Sequence, residues 1–204
     1  MKIIYKTNDT TIIIIIIIVI ICMYIINTYF SNNIHILSDV DNQIYNVKND
    51  KNKYIIANLL AKIRQKLIII SNHLYKHKED IFMKYKDRIE NLHNIIYDVE
   101  FIDNFGNESI MTQTVNKGKS IIFCLRYDDN KKIYGINLLT YVALHELSHI
   151  VSPTHTIGKY HDNNFIEIFK LILIEAKKIG IYDNINFKKY PIIYCKEKIS
   201  NVLI

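Results

Sequence analysis

Tyr141-Val-Ala-Leu-His-Glu-Leu-Ser-His149 sets two histidines four residues apart, with a glutamate directly after the first. On an α-helix that spacing is about 400° of rotation and roughly 6 Å of rise, so both imidazoles leave one face about one turn apart. Two imidazoles so placed can reach one Zn²⁺, and Glu146 then sits close enough to take a proton from a water on that metal. The chemistry needs all three groups: His145 and His149 as neutral ligands that leave the metal Lewis acidic, and Glu146 as the base. Asn137 offers an N-cap before the apolar run Leu138, Leu139, Val142, Ala143 and Leu144, and Pro153 stops the helix soon after His149. A helix this apolar predicts burial, where two histidines and a glutamate are costly unless paired or bound to metal.

Three residues downstream compete for third ligand. His161 lies twelve positions past His149 and opens His161-Asp-Asn-Asn-Phe165. That segment reads as the start of a second amphipathic helix, Asp162 to about Ile179, with Phe165, Ile168, Phe169 and Ile172 on its apolar face. Lys177 and Lys178 suit its last turn, and Gly180 suits its stop. His155, six positions past His149, has the metzincin spacing, but Ser152 stands where that pattern has glycine and no methionine follows Met111. Glu167 lies eighteen positions past His149 but about 240° around the helix from His161, so the two cannot both face one metal. His161 is the preferred ligand, with His155 or Glu167 as alternatives.

His-Glu-Leu-Ser-His followed by His-Asp-Asn-Asn-Phe resembles the WLM and SprT-like zinc metallopeptidases. The chain is also similar to a group of small, singly anchored proteins encoded by large DNA viruses. Ala57 to Arg64, Lys119 to Arg126, the motif helix and Tyr190 to Cys195 carry that likeness. The resemblance implies a zincin-like α+β fold with a small sheet, Zn²⁺ on His145, His149 and His161, and Glu146 as base. Tyr160 departs from the glycine that often precedes the third histidine in the SprT-like pattern.

Thr10 to Ile26 is an almost unbroken isoleucine-rich stretch; extended to Phe30 it approaches the ~20 residues that span a bilayer. A cleaved signal peptide would show an Ala-x-Ala site, which Asn27-Thr28-Tyr29-Phe30 lacks. Lys2 and Lys6 precede the span, and no Lys or Arg follows until Lys48. The positive-inside rule then puts the N-terminus in the cytoplasm and the catalytic domain on the lumenal or exterior side. There, Asn107 is a glycosylation acceptor and Cys124 could pair with Cys195. The residues alone favour free thiols, since three cysteines carry no pairing pattern.

The expected organisation is a short cytoplasmic tail over 1–9, one transmembrane helix over 10–30, a polar linker over 31–52 and a zincin-like metallopeptidase domain over 53–204. Within that domain Tyr54 to Lys76 and Glu79 to Tyr97 read as helices. Ser109 to Val115, a turn at Asn116 to Lys119, and Ser120 to Arg126 read as strand, turn and strand. Zincins place an edge strand beside the motif helix, where an extended peptide can add. Ser120, Ile121, Ile122 and Phe123 are the candidates for that strand. Tyr194 or Tyr160 could assist catalysis.

The net charge of +6 comes from basic residues scattered along the chain. With no zinc-ribbon cysteines and an apolar N-terminal segment, this argues against a nucleic-acid partner. The expected activity is hydrolysis of a peptide or protein substrate by a metal-activated water. A zinc-stabilised membrane-anchored binding protein without turnover, and a nucleic-acid-associated protease of the resembled families, are the two other readings.

Overall fold

The computed structural model describes residues 9–29, 33–104, 112–127, 132–152 and 161–200. Helix α1 (Asp9–Tyr29) is the isoleucine-rich segment, and its side chains from Ile12 to Met23 are exposed. Among the described residues no helix is long and apolar enough to cross a membrane. The transmembrane helix expected over 10–30 is therefore not supported by the fold.

The stretch expected as a polar linker is instead structured. Strands β1 (Asn33–Leu37) and β2 (Ile44–Lys48) pair as an antiparallel hairpin. A period-two pattern hidden among asparagines and aspartates explains it: Ile36, Tyr45 and Val47 turn inward and are buried. The folded body therefore begins near residue 33 rather than 53.

Helix α2 (Lys53–Lys76) follows, and its apolar positions recur at helical spacing. Ile56, Leu60, Ile63, Leu67, Ile70 and Leu74 are fully buried. Burying each such side chain contributes about 1.5–3 kcal/mol. The single helix expected over Glu79 to Tyr97 is broken into a 3₁₀ turn, Met83–Tyr85, and α3 (Lys86–Ile95). The non-helical backbone at Phe82 and Tyr85 accompanies the burial of both rings.

Strands β3 (Glu100–Asp103), β4 (Gln113–Val115) and β5 (Ser120–Phe123) complete a sheet of order β1-β2-β3-β5-β4. The central pairs β2–β3 and β3–β5 are parallel, and β4–β5 is antiparallel. This corrects one expectation. Ser120, Ile121, Ile122 and Phe123 lie on an interior strand, bonded to β3 on one side and β4 on the other. Their backbone groups are already paired, so a substrate strand cannot add there. Among the described residues the edge strand beside β5 is β4, and β1 is the opposite edge.

Helix α4 (Ile136–Val151) carries the motif and packs beside β4, α2 and α3, and α5 (Asn163–Lys178) packs against α4 and α2. A small hairpin, β6 (Ile192–Tyr194) and β7 (Glu197–Ile199), closes the described chain. Cys124 and Cys195 form a disulfide that ties this hairpin to the end of β5, correcting the free-thiol expectation for both. The two segments meet because the Tyr194 hydroxyl donates to the Cys124 carbonyl at 2.8 Å and the Cys195 amide donates to the Tyr134 hydroxyl at 3.0 Å. Their separation of 71 residues left no trace in local sequence. Cys22 is a free, exposed thiol.

Candidate metal centre

Helix α4 starts at Ile136 with Gly135 as its N-cap, not Asn137. The Asn137 side chain is engaged elsewhere: its amide donates to the Asp183 carbonyl at 2.7 Å, and its oxygen accepts the Asp183 amide at 2.9 Å. The helix satisfies its own buried hydroxyls, with Thr140 donating to the Ile136 carbonyl and Ser148 to the Leu144 carbonyl. Most of its length is buried; His145 and His149 project towards His161 at the start of α5, and the Glu146 carboxylate meets Thr114 of β4.

His161 sits one residue before the N-cap of that helix. Asp162 accepts the Phe165 amide through its side chain, which fixes the point at which α5 begins. His145 Nε2 then lies 3.1 Å from His149 Nε2 and 3.1 Å from His161 Nε2. One ligand atom from each of the three residues falls within 4.8 Å of the others.

Those distances test whether a zinc ion fits. Two imidazole nitrogens bound at 2.0–2.1 Å in a tetrahedron are about 3.3 Å apart. The pairs at 3.1 Å are close to that separation. Burial, followed by the neighbouring His149 and His161, pulls the His145 imidazole down to about 3, so it is neutral at physiological pH, as a metal ligand must be. The residues present fit the ion.

Phe165 backs the cluster. Its ring centroid lies 4.9 Å from that of His145, 4.4 Å from His149 and 4.6 Å from His161. Phe169 meets His145 edge-on at 5.1 Å. These rings limit the imidazole orientations by packing, and they exclude water from one side of the cluster.

Glu146 is 4% exposed, and burial pushes its carboxyl up to about 7 against the opposing effect of a hydrogen bond from Thr114. The Thr114 hydroxyl, on β4, lies 2.8 Å from Glu146 Oε2 and 3.2 Å from the Glu146 carbonyl. A cleft of about 390 Å³ opens over His145, Glu146 and His161, walled by Val142, Phe165, Ile166, Phe169, Tyr194 and Ile199.

Among the described residues, the alternative ligand Glu167 is not in this cluster. Glu167 points away and accepts from Lys84 Nζ and from the Tyr85 hydroxyl, both at 2.8 Å. His155, Tyr160 and Asn107 lie outside the described residues. Tyr194 lines the cleft, but its hydroxyl proton is engaged by the Cys124 carbonyl and its oxygen by Thr112. Sequence reasoning missed Thr114, whose role depends on a contact across 32 residues. Phe165 was read as core and as part of the His-Asp-Asn-Asn-Phe likeness; its packing against all three imidazoles was not foreseen.

No family model matches the chain. Among solved structures it is similar to Wss1 from Saccharomyces cerevisiae, at 19% identity and a TM-score of 0.45, over 66% of this chain and 88% of that one. A Wss1 mutant from the same yeast gives 20% and 0.42, over 67% and 92%. Uncharacterized protein 136R of Invertebrate iridescent virus 6 is 29% identical over 135 residues, 65% of this chain and 67% of that one. With 34% identity over 167 residues, 79% of each chain, this protein belongs to the family of uncharacterized protein R325 of Acanthamoeba polyphaga mimivirus.

Proposed function

We propose that the chain is a zinc-dependent peptidase. One observation carries the reading: three imidazoles converge, and two of them, His145 and His161, line a largely apolar cleft together with the buried carboxylate of Glu146. His145, His149 and His161 would hold the ion. When bound, zinc supplies Lewis acidity to a water and to the scissile carbonyl. Glu146 accepts the proton from the attacking water and returns it to the leaving amine. Its burial and its hydrogen bond from Thr114 hold the carboxylate in place for both transfers.

Strand β4 takes the role first expected of Ser120 to Phe123. It borders the motif helix, and a peptide laid along it would lie next to Glu146. The apolar walls of the cleft favour substrates with a bulky apolar side chain next to the scissile bond.

Membrane attachment through residues 10–30 belongs to the same proposal. Successive exposed apolar side chains from Ile12 to Met23 support it, as does a disulfide, which persists in oxidising compartments such as a lumen or the cell exterior. Retention in the membrane pellet after alkaline extraction is expected, and recovery in the aqueous phase would remove this part of the reading.

The test of the activity is Glu146→Gln. The purified variant is expected to keep one zinc per chain and to lose peptide hydrolysis. A Gln variant that cleaves at the wild-type rate would refute the assignment of the base.

A further inference from the structure

The edge strand and the base are joined by one hydroxyl. Glu146 is almost fully buried, and among the described residues the hydrogen bonds to its carboxylate come from Thr114. The same hydroxyl lies within reach of the Glu146 carbonyl at 3.2 Å, so its single proton is shared between the side chain and backbone of one residue. That pair of acceptors fixes the hydroxyl against the helix as well as against the carboxylate. Thr114 is held from the other side by its register opposite Ile121 in β5, whose ring-free side chain is fully buried. A β-branched residue in a strand has few χ1 choices, so the hydroxyl direction is set by the backbone of β4.

We propose that Thr114 is the positioning residue for Glu146, fixing the carboxylate's orientation and tying it to the strand along which substrate would lie. The inference rests on reading the cluster as a peptidase site. Without the hydroxyl, a buried carboxylate loses its donor and can rotate towards another polar group or towards solvent. Because the Thr114 hydroxyl meets Glu146 and Thr114 is not one of the three clustered histidines, its removal separates orientation of the base from metal binding.

The experiment compares Thr114→Val and Thr114→Ser with wild type in the full chain, measuring kcat and KM on a peptide substrate, zinc stoichiometry and thermal melting. Valine keeps the shape and removes the hydroxyl; serine keeps the hydroxyl. The expected result is a kcat lower by ~10- to 100-fold for valine, with KM changed less than about two-fold, full zinc content and recovery of most of the rate by serine. Wild-type kcat in the valine variant overturns the proposal, as does equal loss in both variants with a parallel drop in zinc or melting temperature. A crystal structure of Thr114→Val gives a reading independent of turnover: a displaced Glu146 carboxylate supports the positioning role and an unmoved one refutes it. If wild type cleaves no peptide but Glu146 is displaced in that structure, the peptidase reading fails while the positioning role stands.

Discussion

Asp162 accepts the Phe165 amide at 2.8 Å, and this one bond places the first turn of α5 immediately behind the third imidazole. It joins helix initiation to the geometry of the three-histidine cluster. Asp162→Ala removes the cap and is expected to lower stability by about 1 kcal/mol. It should also weaken zinc affinity, because His161 is the residue next to the cap. Urea unfolding and competitive zinc titration of the same preparation check both effects.

The third ligand is tested by metal content. His161→Ala is expected to lose stoichiometric zinc, whereas Glu167→Ala keeps it, because Glu167 is engaged with Lys84 and Tyr85. His155→Ala is expected to behave like wild type. Elemental analysis after gel filtration reads all three, and zinc loss in Glu167→Ala with retention in His161→Ala would reverse the assignment.

Gly118 sets how closely the β4–β5 turn can approach the helices. Its φ is +101°, and a Cβ there would lie 2.9 Å from Ile95 Cδ1 and 3.1 Å from Ile150 Cδ1. Gly118→Ala is expected to destabilise the fold by roughly 1–3 kcal/mol, combining backbone strain with crowding. Because the turn carries β4, it should also shift Thr114 relative to Glu146. Chemical denaturation measures the first effect and kcat the second.

The disulfide is expected to stabilise the fold by about 4 kcal/mol, from the closure entropy of a loop of this length. Reduction should lower the melting temperature. It should also raise KM, since Tyr194 and Ile199 on the fastened hairpin wall the cleft. A melting curve with and without a thiol-free reductant, on the Cys22→Ser background, isolates this bond from the free thiol.

What the sequence revealed follows the range of the forces involved. Helices α2 and α5 were legible because their burial repeats every three or four residues and their ends carry local signals such as Asp162 and Gly180. Spacing alone brought His145 and His149 onto one face, and the position of His161 at a helix start suggested its approach to them. Strand order was not legible. Ser120 to Phe123 and Gln113 to Val115 both look like strands, and only pairing with β3, far away in the chain, makes the first interior and leaves the second at the edge. The hairpin over residues 33–48 was obscured by polar residues between its inward positions. Asn137 was misjudged because a cap is a competition, and its amide finds better partners in Asp183.

The bond between Cys124 and Cys195 also encloses the machinery: all three histidines and Glu146 lie between its two ends. A single nick anywhere in that interval leaves two pieces still covalently linked. Such a molecule can hold its ligands together after being cut, whereas the same cut in the reduced chain frees the downstream half to drift off.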